Sequence, residues 1–526
     1  MKELSQASGT KLDKDCSMSS LTLGTQWSLP LFVTVESIQP SKETTLSDKS
    51  SLWDNSTPLP KLSKTSVVDS ISKGKVFAPY WTGLCEEISS KLLLPVGIDS
   101  VDSDSSCFNI WSNKTVEKSW FSTKLFTAPK PSLQPIFSPC DLSSLAGCTD
   151  SEVTLNKSRK IRIFLNSQQK QILKHWYGVS RYVYNRTIAY LQQPDTQASW
   201  LKIKKGILDE LPEWASTVPF QVKSIAIKDA CQAVKMAKKG YKTDAKVRKC
   251  KFRSRRDKKQ TIYIPKSAIR EKGIYPTLLG ELSYTETLPR DFSDGRLSNV
   301  AEEYYLVVSE KVQPIKTENQ GRVVSLDPGV RKMFTFFSED SFGFLGVGAN
   351  LFIQKLCVRL DDLISKISKA KCRQKRRLKK AADRIRAKIK NSIAELHHKI
   401  AHFLVTNFDV ILLPTFETSE MVSRFRRRLR AKSVRQMLTL SHYQFKEFLR
   451  WKCLEYKKCL FEVSEAYTSK TVSWTGELVK VGGSEKIKSP STGITLDRDL
   501  NGARGIFLRA LVDTPSLRDC LNVSIS

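Results

Sequence analysis

Three acidic side chains stand where a carboxylate can do chemistry. Asp327 closes an apolar run, "RVVSLD", and Pro328-Gly329 turns the chain directly after it. Glu417 follows "VILLP", a run apolar enough for a central strand. Asp499 lies in "DRDLNGARG", where the small residues Gly502 and Ala503 let a helix pack closely on a sheet. Acids at the ends of two central strands and at one helix start can converge on a point. Converging carboxylates repel unless cations sit between them, so the set suits two Mg²⁺ about 4 Å apart. Such a pair activates a water on one side and stabilises a leaving 3′ oxygen on the other, which is the chemistry of phosphodiester hydrolysis. Taken singly, each acid also has an ordinary reading. An Asp before Pro-Gly is a common turn former, and Asp497 and Asp499 both suit a helix cap. It is the order, spacing and strand context of the three together that point to a site.

Such acids need a scaffold, and the surrounding pattern is α/β. "RVVSLD" and "MFTFFSED" read as two strands around Pro328-Gly329. From about 351 to 404 a basic stretch carries Leu360, Leu363, Ile367, Leu378, Ile385, Ile389, Ile393 and Ile400 on one stripe. Its length predicts two helices or a helical hairpin rather than one helix. "DVILLP" is a strand, "SHYQFKEFLRWKCLEYKK" a helix, "CLFEVSEAY" a strand and "DLNGARGIFLRAL" a helix. Upstream, "KIRIFL" at 160–165 alternates like a strand, and Ile172, Trp176, Val179, Val183 and Ile188 then recur at helical spacing with Asn166 as cap. A second helical block, "FQVKSIAIKDACQAVKMAKKGYKT", precedes a basic loop and the strand segments "QTIYI" and "EEYYLVVSEKV". That order predicts a β-barrel interrupted by helices. Residues 1–78 are rich in Ser, Thr and Lys and read as disordered. In 79–155, Trp81, Trp111 and Trp120 are more aromatic surface than a free tail needs, so part of this extension should dock.

The chain of 526 residues carries a formal net charge of +33. Residues 1–150 hold 14 Lys and Arg against 16 Asp and Glu, leaving 72 against 37 for the rest. So large and so localised an excess of cations points to a polyanion, most simply nucleic acid. No apolar run is long enough to span a bilayer, and no secretory signal pattern opens the chain. The 12 cysteines form no CxxC pair and no regular framework, as in a reducing compartment. The densest basic runs are "FRSRRDKK" with Arg253, Arg255 and Arg256, "KCRQKRRLKK" with Arg376 and Arg377, and "RFRRRLRAK" with Arg426, Arg427 and Arg428; Arg435 follows. They suit phosphate contacts, while the plainer readings are a solvated helix face or a nuclear-import signal. Arg181, Tyr182 and Tyr184 suit base stacking or a core equally well, and the pair His397-His398 suits packing better than metal binding.

One segment has the outline of a metal module without the ligands. In "VSWTGELVKVGGSEKIKSPSTG" two short turns, Val472–Gly476 and Ser489–Gly493, flank a stretch suited to a small hairpin. Paired turns of this size present two pairs of cysteines to one zinc ion in many proteins, yet none of the 12 Cys falls here.

In order along the chain, "VVSLDPGVRKMFTFFS", "ILLPTFETSEM", "RQMLTLSHYQFKEFL", "AYTSKTVSWTG" and "DRDLNGARGI" resemble the RuvC-like nuclease core of the Fanzor family, eukaryotic relatives of TnpB nucleases and type V CRISPR effectors. The resemblance extends upstream through "QKQILKHWYGVSRYVYNRT" and "FRSRRDKKQTIYIPKSAI", and so covers roughly residues 156–511. It implies an RNA-guided DNA endonuclease with a two-metal site, whose partners are a guide RNA of the omega type and target double-stranded DNA. Asp327 would be the first Mg²⁺ ligand and Asp499 the third. The bacterial pattern places its middle Glu where Pro414 stands here; the resemblance to Fanzor sequences, with their Glu shifted along the chain, implies Glu417 as that ligand, with Glu420 as the alternative. Val472, Thr475, Ser489 and Thr492 stand where the family carries its four zinc cysteines, so zinc is not expected. Loss of a structural zinc should loosen the segment that delivers Asp499. Nuclear location follows from the family and the basic runs.

The expected architecture is therefore multidomain α+β: a disordered tail at 1–78, an N-terminal extension at 79–155, and a wedge β-barrel at 156–320 with a helical recognition lobe inserted at about 166–250. A ribonuclease H-like (RuvC) α/β domain would occupy 321–511, including a degenerate zinc-ribbon hairpin at 468–496, before a C-terminal tail at 512–526. Two other functions fit the same residues. One is an RNA-guided DNA-binding protein, or decayed transposon copy, impaired by the lost zinc module. The other is a guide-free ribonuclease H-like resolvase or transposase, which would have no need of the helical block inserted between strands at 156–320.

Overall fold

The structure is a computed structural model that describes residues 76–92, 94–96, 112–115, 121–127, 154–193, 196–244, 250–315, 317, 321–416, 418–423, 430–480 and 482–521. Residues 1–75 of the expected disordered tail lie outside the described residues, as do Trp111 and Trp120, whereas residues 76–78 of that stretch are ordered, because their backbone pairs with the segment around Gly476. The chain divides into two compact units, one holding residues 158–310 and the other the flanking described residues on both sides. The N-terminal described stretch supplies α1 (Gly83–Lys91), β1 (Ser112–Thr115) and β2 (Ser122–Thr127) to the second unit.

The first unit opens with β3 (Leu155–Phe164), α2 (Ser167–Leu191), α3 (Trp200–Asp209) and α4 (Phe220–Asp244). It continues through β4 (Lys259–Ile264), the short pair β5 (Ile269–Arg270) and β6 (Gly273–Ile274), α5 (Pro276–Leu279), β7 (Ser283–Tyr284), β8 (Gly295–Val300) and β9 (Glu303–Val312). Asn166 caps α2 as its sequence context predicts. Its side chain accepts from the Gln169 amide, and Gln169 Oε1 accepts in return from the Asn166 amide, at 2.8 and 2.9 Å. Five strands form a sheet in the order β4-β8-β9-β3-β7, crossed by α2 and α4. Ile161, Trp176, Ile262, Leu297 and Leu306 fill the core between them. Helix α3 was not evident from the sequence.

The second unit runs through β10 (Val323–Pro328), β11 (Phe334–Ser338), β12 (Ser341–Val347), α6 (Ala349–Lys369), α7 (Cys372–Asn407), β13 (Val410–Pro414), α8 (Thr418–Val422), α9 (Ala431–Leu440) and α10 (His442–Glu455). It ends with β14 (Cys459–Val463), β15 (Lys486–Lys488), β16 (Thr495–Asp497), α11 (Arg498–Asp513) and α12 (Pro515–Arg518). Helices α6 and α7 are the expected pair, separated where Ala370 and Lys371 become extended.

A seven-stranded sheet takes the order β1-β2-β12-β11-β10-β13-β14. Strands β10, β11 and β12 pair antiparallel, whereas β13 and β14 run parallel to β10. Alternation along β10 and β13 divides the core into two layers. Val323, Leu412 and Phe337 face α11, where the Phe337 and Phe507 rings meet edge to face at 5.8 Å. Val324, Leu326 and Ile411 face the other way, onto Leu396, Ile400 and Phe445 of α7 and α10. Buried on both faces, these strands read in sequence as continuous apolar runs.

The N-terminal extension docks in two places. Strands β1 and β2 extend the sheet beyond β12, and the two backbones come so close at Gly343 that a Cβ there would lie 2.1 Å from the Lys124 carbonyl oxygen. Farther upstream, the Ala78 amide donates to the Gly476 carbonyl and the Leu478 amide to the Val76 carbonyl, both at 2.8 Å. Trp81 fills the space above Gly476, where a Cβ would approach the ring to 2.4 Å.

Candidate active site

Asp327 lies at the end of β10, half-buried, beside the first turn of α11. Two small residues of α11 make that approach possible. The Ser325 hydroxyl donates to the Ala503 carbonyl at 2.7 Å, tying strand to helix. A Cβ on Gly502 would sit 2.6 Å from Asp327 Oδ2, so only glycine leaves room for the carboxylate. Burial pushes the Asp327 carboxyl well above its usual range, the charges of Asp499 and Glu465 push it further, and Arg498 opposes them. Asp499 thus lies near enough to Asp327 for its charge to act on that carboxyl. Asp497, by contrast, is the helix cap: its Oδ1 accepts from the amides of Asp499 and Leu500 at 2.9 and 3.1 Å. Lys332 supplies a cation at the rim, with Nζ 3.2 Å from Asp497, 3.9 Å from Asp499 and 3.4 Å from the centre of the Phe344 ring.

Glu465 was not singled out in the sequence. Ser325 pairs with Leu412 and Pro414 with Val463, so continuing the β10–β13 register sets Asp327 level with Pro414 and Val463. Glu465 follows Val463 by two residues, just beyond the end of β14, and its charge acts on Asp327. Burial raises its pKa as well. Glu417 lies outside the described residues. Among the described residues, no three His, Cys, Asp or Glu side chains are drawn closely enough together to hold a metal ion as they stand.

The two turns expected to resemble a zinc module are formed, and each closes across itself rather than through a hairpin between them. Thr471 bridges Leu478 around the first turn, and β15 pairs with β16 around the second. The Gly476 amide donates to the Val472 carbonyl at 2.8 Å, and the Gly493 amide to the Ser489 carbonyl at 3.1 Å. Both glycines have positive φ, 74° and 67°, which suits glycine at the end of such turns. Of the four positions, Val472 and Ser489 are fully buried. Ser489 and Thr475 donate hydroxyl hydrogen bonds to Glu477, and Thr492 accepts one from the Trp474 indole at 3.2 Å.

The segment is held to α11 by two of that helix's polar residues. Asn501 Oδ1 accepts from the Ser473 amide at 2.9 Å, and its Nδ2 donates to the Thr471 carbonyl at 2.7 Å. Arg504, fully buried, donates to the Ser473 carbonyl at 2.5 Å and to Ser89 O and Oγ at 2.9 and 3.0 Å, joining helix, turn and α1. Burial away from any carboxylate lowers its pKa to about 9.

The basic residues separate by environment. Arg253 is partly structural: its guanidinium stacks 3.7 Å from the Tyr184 ring centre and pairs with Asp229 at 3.6 Å. Tyr184 is buried beneath it, whereas Tyr182 is exposed against Trp214. Arg255 lines a cavity of about 1110 Å³ together with Lys170, Lys174, Arg181, Tyr182 and Trp214, and Arg256 is exposed nearby in sequence. Arg376 and Arg377 are exposed on α7. Arg435 forks onto Asp361 with two bonds of 2.5 and 2.9 Å, and Arg426, Arg427 and Arg428 lie outside the described residues. His397 is a packing residue, its Nε2 2.9 Å from the Leu440 carbonyl. No described helix is long and apolar enough to cross a membrane, and no disulfide forms among the described cysteines.

Residues 442–506, from α10 through the two turns into α11, match the family model described as "Cas12f1-like, TNB domain". Residues 155–194 match one described as "Helix-turn-helix domain", although here they form β3 and the single helix α2. TnpB-like protein L79 of Acanthamoeba polyphaga mimivirus is 25% identical over 440 residues, covering 74% of this chain and 82% of its own. Putative transposase A625R of Paramecium bursaria Chlorella virus 1 is 25% identical over 393 residues, covering 68% and 87%. Among solved structures, a Cas12f1–sgRNA–target DNA complex aligns over 67% of this chain and 98% of that chain, with 12% identity and a TM-score of 0.38. The mini-RNA-guided endonuclease Cas_phi3 aligns over 70% and 94%, with 9% identity and a TM-score of 0.39. In sequence, the chain is thus similar to TnpB-like proteins and putative transposases over most of its length.

Proposed function

We propose that this chain is an RNA-guided DNA endonuclease of the Fanzor type, acting on double-stranded DNA through a RuvC-like site. The observation that carries the reading is the close approach of Asp327 to Gly502 of α11, the helix whose first turn carries Asp499, with the Asp499 charge acting on Asp327. The strand order supports a ribonuclease H-like core, with three antiparallel strands, β12-β11-β10, continued by parallel β13 and β14. The antiparallel sheet of the first unit, with helices inserted between β3 and β4, supports a wedge and recognition lobe. The cationic excess after residue 150 supports guide RNA and target DNA as partners, and the basic runs support a nuclear site of action.

The acids fit Mg²⁺. Asp327, Asp499 and Glu465 offer hard carboxylate oxygens, and burial, with the charges of the other two acids, drives the Asp327 carboxyl toward protonation, a conflict that a divalent cation relieves. When bound, such ions would activate the attacking water and steady the leaving 3′ oxygen. The chain's own contribution is placement. The Asp497 cap orients the first turn of α11, Gly502 clears space for Asp327, and Lys332 balances charge at the rim. With Pro414 level with Asp327, we assign the third acid to Glu465 in preference to Glu417.

The test is cleavage by the purified ribonucleoprotein. Asp327→Ala should abolish cutting and keep RNA binding; full activity in that variant overturns the assignment. Glu465→Gln should slow cutting by about a hundredfold or more, as removal of a charge-stabilising catalytic group does, and Glu417→Gln should be mild. The reverse pattern would return the third position to Glu417.

A further inference from the structure

The charged centre of the two-turn segment is Glu477. Although its residue surface is only 4% exposed, Oε2 accepts three hydroxyl hydrogen bonds: Thr475 at 3.1 Å, Ser489 at 3.0 Å and Ser491 at 3.0 Å. Thr475 belongs to the first turn, and Ser489 and Ser491 to the second, so one carboxylate bridges both. Ser489 Oγ also accepts from the Thr492 amide at 3.2 Å, and Glu477 O accepts from the Val472 amide at 2.9 Å. Burial alone would raise the Glu477 carboxyl, but the hydroxyls of Ser491, Ser489 and Thr475 outweigh it and hold its pKa below the usual range. Hydroxyl donors to an ionised carboxylate shielded from bulk water make charge-assisted hydrogen bonds, and three of them meet Oε2 here.

Both turns pass this order on to α11. The first holds Asn501 through the Thr471 carbonyl and the Ser473 amide. The second leads into β16, whose Asp497 caps the helix, and the Arg498 amide donates to the Glu485 carbonyl at 2.8 Å. Asp499 lies between these two attachments.

We propose that Glu477 is a positioning residue: it closes the two-turn segment with hydroxyl groups in place of a metal and thereby sets the turn of α11 that presents Asp499. The catalytic side of this inference rests on the endonuclease reading above; the structural side stands without it.

Hydrogen exchange by mass spectrometry on the free full-length protein tests the structural side. In Glu477→Ala, amides of 472–476, 489–493 and 497–501 should exchange about tenfold faster or more, the effect of losing hydrogen bonds to a charge. Glu477→Gln, which keeps the shape and one acceptor oxygen, should fall between wild type and Glu477→Ala. Wild-type protection should survive chelator, with no zinc in the purified protein by elemental analysis. Unchanged exchange at 497–501 in Glu477→Ala, or protection lost in chelator, overturns the proposal. If Glu477→Ala does not fold, Ser489→Ala and Ser491→Ala each remove one donor, and their exchange decides by the same criterion. On the ribonucleoprotein, the cleavage rate at saturating target should fall in Glu477→Gln with target affinity kept; equal losses in affinity and rate overturn the positioning role. A wild type that never cuts would sink the endonuclease reading alone, because the exchange result does not depend on cleavage.

Discussion

At Gly502 a helix and a carboxylate compete for one volume. Alanine is the better helix former by about 1 kcal/mol, so Gly502→Ala should strengthen α11 taken by itself. Its Cβ, however, would lie 2.6 Å from Asp327 Oδ2 and must displace that carboxylate. The expected outcome is a single-turnover cleavage rate lower by about tenfold or more, the scale of a small misplacement at a reacting centre, with a melting temperature near wild type. An unchanged rate would mean that Asp327 has room to move and that its position does not limit the reaction. The same few residues show what a sequence discloses at this scale. Asp327 and Asp499 were legible because each sits at the end of its own element, with a turn or small residues beside it. The helix cap was the open question: Asp497 and Asp499 both suited it, and only the side-chain hydrogen bonds assign it to Asp497. Glu465 was hidden for another reason: its relevance depends on β14 lying beside β13 at a given register, which no local pattern encodes.

Elements with strong periodicity or continuous apolar runs were readable: β10, β13, α2, α4 and the α6–α7 pair. Helix α9 and strand β12 were not, because "AKSVRQMLTL" is short and "SFGFLGV" contains two glycines, and both depend on neighbours for their stability. In the two-turn segment no cysteine stands at the expected ligand positions, and the turns close through Glu477 and the backbone, contacts that no local sequence pattern encodes. The junction between α7 and α9 makes a prediction about pH. His397 on α7 is 6% exposed, and its Nε2–H donates to the Leu440 carbonyl at the end of α9. Burial lowers its pKa from 6.5 to about 4, and the nearby His442 is lowered to about 4 as well. The folded pKa lies below the unfolded one, so the unfolded chain binds more protons between them. Stability is then fully present above pH 6.5 and is lost as pH falls toward 4, at up to about 1.4 kcal/mol per unit for each such histidine. Urea unfolding at pH 7 and pH 5 should show that loss. His397→Gln, whose amide can still donate to Leu440, should unfold with a shallower pH dependence; an identical slope would remove His397 from the explanation.

Over the whole molecule the dominant fact is charge, with an excess of 72 Lys and Arg over 37 Asp and Glu after residue 150. Not all of it is available to a ligand. Arg504 is buried, Arg435 is held by Asp361, Lys332 is at the acids, and Arg253 is committed to Tyr184 and Asp229. The N-terminal half of α7 differs: Arg373, Arg376, Arg377, Lys379 and Arg384 are all exposed along it. A helix surface so uniformly positive repels itself in isolation, and a polyanion laid along it converts that repulsion into binding by releasing condensed counterions. Guide RNA or target DNA affinity should therefore fall linearly in a plot of log K against log salt. Each phosphate contact removed should reduce the slope by about 1, so Arg376→Gln with Arg377→Gln should flatten it by about 2. The loss should be the same for unrelated sequences, because phosphates carry no base information. Titrations at four or five salt concentrations decide the matter. A parallel line with unchanged affinity would make this face a solvated one, and the electrostatic footprint would then have to be sought around Arg255 and the cavity beside α2.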